Sequence, residues 1–114
     1  MVAVLEDLMF TVRIADAARR AGIQVDFAKK QDDLAPRLAG ARAAILDLNY
    51  VPPETISALK SAPETRAIPL IGYVSHVESE VIRQARESGC DSILARSAFV
   101  QKLAEMMQEF AASG

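Results

Sequence analysis

Short apolar runs alternate with stretches of helical periodicity five times along the chain. The apolar runs predict strands at Val2 to Leu5, Ile23 to Ala28, Ala43 to Leu48, Ile68 to Val74 and Ser92 to Ala95. A helix-length segment follows each run. Because every crossover must return the chain to the same end of the sheet, this order predicts a parallel sheet covered by helices on both faces. The expected fold is α/β, a doubly wound three-layer sandwich with the five strands in the order 2-1-3-4-5.

The first two predicted helices are marked by their ends. The first, about Leu8 to Ala21, is followed by Gly22, a residue that typically ends a helix in the left-handed conformation. Its apolar residues on adjoining rows of the helix surface are Val12, Ala15, Ala18 and Ala21. The second is short and is closed by Gly40. If Asp33 caps it, Pro36 falls in the first turn, where the missing backbone donor costs nothing.

The other three predicted helices are marked by prolines or by apolar stripes. The third begins at Pro52 and Pro53, turns Ile56 and Leu59 inward, and stops before Pro63. The fourth is predicted from a stripe of Val77, Val81, Ile82 and Ala85. The fifth is expected to be capped by Ser97 and to bury Phe99, Leu103, Met106, Met107 and Phe110.

Composition narrows the class of protein. The 114 residues predict a single domain, residues 1–114, and 51% apolar with 25% charged residues is typical of a soluble globular protein. A net charge of -2 disfavours direct binding to nucleic acid. No apolar run is long enough to span a bilayer, and the segment MVAVLEDLMF lacks the pattern of a secretory signal, so we expect a cytoplasmic protein without membrane association. The single cysteine, Cys90, is expected to pack in the core.

Chemistry-bearing side chains follow four of the five predicted strands. Ligands of open α/β sheets bind at the carboxyl ends of the strands, which makes these positions candidates for a site. They are Glu6 and Asp7 after the first strand, Asp47 at the third, Ser75 and His76 after the fourth, and Arg96 after the fifth. The second strand ends on Phe27 and Ala28, where we expect no chemistry. Carboxylates that converge from adjacent strands suit Mg²⁺, and Arg96 would supply a fixed positive charge for an anion.

The chain resembles the receiver domain of two-component response regulators over essentially its whole length. The resemblance rests on the segments VLEDL, ILDLN, AIPLIGYVSH and ARESGCDSILARSAF, in this order. It implies a flavodoxin-like fold and a signalling domain that is not an enzyme. It also implies phosphoryl transfer from a histidine kinase or phosphotransfer protein to Asp47, and a downstream partner that binds the face formed by the fourth helix, fifth strand and fifth helix.

The resemblance assigns a role to each candidate site residue. Glu6 and Asp7 match the acidic pair that holds Mg²⁺, Asp47 also contacts the metal, and Asn49 matches the position whose backbone carbonyl completes the metal site. Ser75 matches the hydroxyl that follows the phosphoryl group, and Arg96 stands where the family has a lysine.

Several positions depart from the family pattern. Arg96 replaces a compact ammonium with a planar guanidinium, and Ser97 replaces the usual proline. Ile93 replaces the aromatic switch residue. Counted from Pro69, the family hydroxyl falls on Val74, and Ser75 comes one residue later, so a bulge at Gly72 would be needed to bring it onto the correct face.

These departures leave alternatives open. Asp47 could cap the loop before Pro52, the acids after the first strand could cap the first helix, and Ser75 could cap the fourth, which the offset favours. Arg96 could form a structural salt bridge with Asp47. The chain is therefore either a stand-alone phosphorylated receiver or a pseudo-receiver that binds its partner without phosphorylation. A small anion-binding protein or enzyme on the same fold is a third possibility, although no glycine-rich phosphate loop is present.

Overall fold

A computed structural model describes residues 1–112, in which five strands alternate with five helices. The strands are β1 Val2–Val4, β2 Asp26–Ala28, β3 Ala44–Asp47, β4 Leu70–Val74 and β5 Ser92–Ala95. The helices are α1 Leu8–Ala21, α2 Leu34–Leu38, α3 Pro53–Ser61, α4 Ser79–Glu87 and α5 Arg96–Ala112. The elements and their sequence order are those predicted.

The strands form one parallel sheet in the order β2-β1-β3-β4-β5, which confirms the predicted topology. The register places Asp47 beside Tyr73 across β3 and β4. Only β5 has the predicted bounds. The first four apolar runs extend beyond the strands because residues such as Leu5, Leu48 and Ile68 are buried in the core although they lie outside the strand bounds.

The core lies in two layers, one on each face of the sheet. Alternate residues of β1 serve different layers, since Val2 and Val4 pack with α2, α3 and α4, whereas Ala3 packs with α1 and α5. Such two-sided burial explains why the strand sequences are almost continuously apolar. Cys90 is buried in the first layer, as predicted.

The predicted inward face of α1 is partly wrong. Val12 is 62% exposed, and the buried residues are Phe10, Ile14 and Ala18, which are spaced four residues apart. The helix still begins after Asp7 and ends at Gly22, whose φ of 75° provides the predicted left-handed stop. The stripe of alanines was therefore a weaker guide than the larger Phe10 and Ile14, which bury more apolar area.

Asp33 occupies the predicted N-cap position of α2, although its side chain forms no capping hydrogen bond. The predicted caps of α4 and α5 are wrong. Helix α4 begins at Ser79 with Glu78 as its N-cap residue, so Ser75 does not cap it, and Val77 lies in the preceding loop, 71% exposed. Helix α5 already begins at Arg96, which places Ser97 inside its first turn.

Among residues 1–112, no helix combines the length and the apolar character needed to cross a membrane.

Candidate functional site

A cavity of about 530 Å³ opens at the carboxyl edge of the sheet. It is bounded by the loops that follow β1, β2, β3 and β4 and by the first residue of α5, because parallel strands all end on this edge. Its lining contains all seven residues that the sequence placed at or just after the strand ends and two others: Glu6, Asp7, Asp47, Asn49, Ser75, His76, Arg96, Lys30 and Tyr50. The convergence predicted from the strand ends is therefore observed.

Asp47 is the last residue of β3, the central strand, and its carboxylate is half-buried. Oδ1 accepts a hydrogen bond from the backbone N–H of Asn49 at 3.0 Å. The Asp47 carbonyl accepts from Tyr50 N and Val51 N, at 3.0 and 2.8 Å, which closes a tight turn. Asp47 thus also stabilises the loop before Pro52, as the alternative interpretation predicted.

The pKa of Asp47 is raised above its ordinary value, chiefly because burial disfavours the charged carboxylate. The Asn49 N–H and the positive charge of Arg96 oppose this shift, while the charges of Asp7 and Glu6 add to it. The carboxylate therefore lies where burial and like charges both act against its ionised form.

Asp7 is the N-cap of α1, as the alternative for the acidic pair predicted. Its Oδ1 accepts a hydrogen bond from Phe10 N at 3.1 Å, and its Oδ2 accepts one from Arg96 Nη2 at 3.3 Å. Glu6 is exposed at the mouth of the cavity. Both oxygens of Asp7 are thus bound by groups of the protein.

Arg96 pairs with Asp7, so the predicted salt bridge with Asp47 is wrong. The guanidinium also lies over the Phe10 ring, with Cζ 4.4 Å from the ring centroid. A planar guanidinium can stack on an aromatic face and donate to a carboxylate at the same time, and this combination holds Arg96 on the α1 side of the cavity.

The side chain of Asn49 joins two loops of the site. Its Oδ1 accepts hydrogen bonds from Ser75 N at 2.8 Å and His76 N at 3.2 Å, and its Nδ2 donates to the His76 carbonyl at 3.3 Å. The β4–α4 loop is therefore fixed to the loop after β3. The sequence predicted a role only for the Asn49 backbone carbonyl.

Ser75 lines the cavity even though the strand before it has no bulge. Gly72 pairs in continuous register with Leu46 and Ile93, and Val74 is buried. Ser75 follows the last strand residue and is exposed, so its position is set by the loop and by Asn49 and not by the alternation of the strand.

The acidic residues do not fit a metal ion as they are placed. Across the described residues 1–112, no group of three histidine, cysteine, aspartate or glutamate side chains is arranged to hold one. The oxygens of Asp7 are bound by Phe10 N and Arg96. The Mg²⁺ site at Glu6, Asp7, Asp47 and Asn49 remains a prediction.

Two residues of the site, Lys30 and Tyr50, were not predicted from the sequence. Lys30 lies with its Nζ 5.0 Å from the centroid of the Tyr50 ring, and its backbone N–H donates to the Tyr50 hydroxyl at 3.0 Å. The available signal was the pair of lysines, Lys29 and Lys30, directly after the second strand. We had expected no chemistry at that strand end.

An aromatic cluster lies beneath the site on the α1 and α5 side of the sheet. The Tyr73 ring packs against Phe10, with centroids 4.7 Å apart, and stacks on Phe99 at 5.1 Å. Among the residues that the structure describes, the Tyr73 hydroxyl is the one buried side-chain polar group without a hydrogen-bond partner. Its phenol pKa is raised, first by burial and then by the nearby charge of Asp47.

The fold is shared with solved receiver domains. Chemotaxis response regulator CheY4 of Vibrio cholerae has a TM-score of 0.76 at 18% identity, covering 96% of this chain and 95% of its own. The phosphorylated cyanobacterial phytochrome response regulator RcpA has a TM-score of 0.67 at 18% identity, covering 95% and 88%. The Mn²⁺-bound form of response regulator Rcp1 has a TM-score of 0.66 at 17% identity, covering 97% and 91%. No protein-family model and no curated protein sequence matches the chain.

Proposed function

We propose that this chain is a receiver signalling domain in which Asp47 accepts a phosphoryl group. The observation that carries the proposal is the setting of the Asp47 carboxylate at the end of the central strand. Its Oδ1 is fixed by Asn49 N, and within residues 1–112 its other oxygen accepts no hydrogen bond. This carboxylate shares a cavity with the cations of Arg96 and Lys30.

The proposed reaction requires only a phosphorylated donor. A carboxylate oxygen of Asp47 attacks the phosphorus of a phosphohistidine, and a new O–P bond forms as the P–N bond breaks. The electron pair of the broken bond stays on the imidazole nitrogen, which takes a proton from solvent. The product on this chain is an acyl phosphate, the covalent species that a carboxylate nucleophile forms in phosphoryl transfer.

Cationic groups near Asp47 would stabilise the transferred group. Charge accumulates on the phosphoryl oxygens in the transition state, so positive side chains aimed at them lower the barrier. Arg96 would have to turn from Asp7 toward Asp47 to serve this purpose. Lys30, on the opposite side of the cavity, and the backbone N–H groups of the loops offer further donors.

We propose a divalent ion, Mg²⁺, as a conditional cofactor only. One structural neighbour is described as Mn²⁺-bound, and carboxylate oxygens suit such ions. In this chain, however, the oxygens of Asp7 are bound by the α1 backbone and Arg96. No step of the proposed reaction depends on the metal.

The proposed partners follow from the receiver fold. The donor would be a histidine kinase or phosphotransfer protein in the cytoplasm, and the output would pass to another protein through the face formed by α4, β5 and α5. In this role the chain is a signalling module and not an enzyme with a substrate of its own.

A second candidate function is a pseudo-receiver that binds its partner without phosphorylation. Two observations favour it. Arg96 is bound to Asp7 and stacked on Phe10, and the position expected to carry the family hydroxyl is the buried Val74. A pocket of this kind would keep its shape without serving as a switch.

Incubation with a small phosphodonor and Mg²⁺ separates the two candidates. Intact mass is measured for the wild type, for Asp47→Asn, and for Asp26→Asn as a matched control, because Asp26 is an exposed aspartate of β2. Phosphorylation at Asp47 predicts a gain of one phosphoryl group in the wild type and Asp26→Asn but not in Asp47→Asn. A wild-type mass that does not increase, as for Asp47→Asn, would support the pseudo-receiver.

A further inference from the structure

The Arg96 side chain is held at two points on the α1 side of the cavity. Its Nη2 donates to Asp7 Oδ2 at 3.3 Å, and its Cζ lies 4.4 Å from the centroid of the Phe10 ring. The guanidinium is thus fixed both by charge and by stacking. A lysine could match the charge but not the planar stacking contact, so this arrangement is specific to arginine.

The Arg96 contact changes what Asp7 can bind. One oxygen of Asp7 caps α1 through Phe10 N, at 3.1 Å, and the other accepts from Arg96. A divalent ion at this position would have to displace the guanidinium from Oδ2. Until it did, the ion would also lie beside a positive charge, which opposes its binding.

We propose that Arg96 is the built-in cation of this pocket and that it keeps Asp7 from divalent metal ions. The chain therefore binds Mg²⁺ or Mn²⁺ weakly at the acidic pair for as long as the Arg96–Asp7 contact holds. This inference rests on the proposed function, because only a receiver domain gives the acidic pair, Glu6 and Asp7, a role in holding a metal ion. The metal-binding property itself exists whether or not Asp47 is phosphorylated.

A Mn²⁺ titration of the full chain tests the proposal without any phosphodonor. The free ion is followed by electron paramagnetic resonance for the wild type, for Arg96→Gln, and for Arg20→Gln. Arg20 is the control because it is also an arginine paired with an aspartate, Asp16, at 3.1 Å, but it is more exposed than Arg96 and does not line the cavity. Glutamine removes the positive charge at each position.

We expect Arg96→Gln to bind Mn²⁺ about two- to five-fold more tightly than the wild type, since one partly exposed ion pair must no longer be broken. Arg20→Gln should bind as the wild type does. Circular dichroism spectra of both variants serve as the control for folding. Equal Mn²⁺ affinity in Arg96→Gln and the wild type would overturn the proposal.

A double variant shows whether the gain depends on Asp7. Asp7→Asn in the Arg96→Gln background retains a side chain that caps helices well but loses the carboxylate. We expect the gained Mn²⁺ affinity to disappear. A gain that persists without the carboxylate would contradict the assignment to Asp7. Because no phosphodonor is present, failure of phosphorylation at Asp47 would leave all these outcomes unchanged.

Discussion

Replacing Tyr73 with phenylalanine should stabilise the protein. The Tyr73 side chain is 1% exposed, and its hydroxyl has no hydrogen-bond partner among the described residues. A buried hydroxyl that lacks a partner costs about 1–3 kcal/mol in desolvation. Phenylalanine keeps the ring contacts with Phe10 and Phe99, at 4.7 and 5.1 Å between centroids. Allowing for the small void that the oxygen leaves, we expect a gain of about 1 kcal/mol in the free energy of unfolding.

Urea unfolding followed by circular dichroism measures this gain. With a typical slope for a small protein, the midpoint should rise by about 0.5 M. Tyr50→Phe is the matched control, because the Tyr50 hydroxyl accepts from Lys30 N at 3.0 Å and donates to Gln31 at 3.4 Å. This control should lose about 0.5–1 kcal/mol. If Tyr73→Phe were destabilised as much as Tyr50→Phe, the Tyr73 hydroxyl would have a partner and the reasoning would be refuted.

Three further substitutions test other parts of the structure. Asp47→Asn should raise the melting temperature at pH 7, because folding raises the pKa of the Asp47 carboxyl and the protein therefore loses stability as this group ionises. Below pH ~3.8 the carboxyl is protonated in both states, and a difference in melting temperature between the variant and the wild type that does not shrink there would contradict this. Gly72→Ala should cost about 1–3 kcal/mol, since its Cβ would lie 2.5 Å from Leu48 Cδ1, and adding Leu48→Ala should relieve part of that cost in urea unfolding. Asn49→Ala should increase hydrogen exchange in the β4–α4 loop, whereas unchanged exchange would show that the Asn49 side chain does not hold it.

The strands and their order were predictable because the apolar runs are short, bounded and regularly alternating. The ends of the runs were less informative, since burial continues past the last paired residue, as at Leu5 and Leu48. The face of α1 was misassigned because two apolar stripes compete along it. Side-chain size settles the competition in favour of Phe10 and Ile14 over Val12.

The composition of the site was predictable from the strand ends, but its hydrogen bonds were not. Sequence position brought Asp7, Asp47 and Arg96 to one edge of the sheet. It could not show that Arg96 binds Asp7 and not Asp47, because that choice depends on the direction of a long side chain and on the Phe10 ring beneath it. Lys30 was not predicted as a site residue because it follows β2, whose last residues, Phe27 and Ala28, carry no ionisable or nucleophilic side chain.

The most direct test of the central proposal identifies the phosphorylated residue itself. The chain is incubated with a phosphodonor, any acyl phosphate is reduced with borohydride, and the peptides are mapped by mass spectrometry. Reduction converts a phosphorylated aspartate to homoserine, so the proposal predicts homoserine at position 47 and aspartate at positions 7 and 26. An unmodified Asp47, or homoserine only at another acidic position, would contradict it.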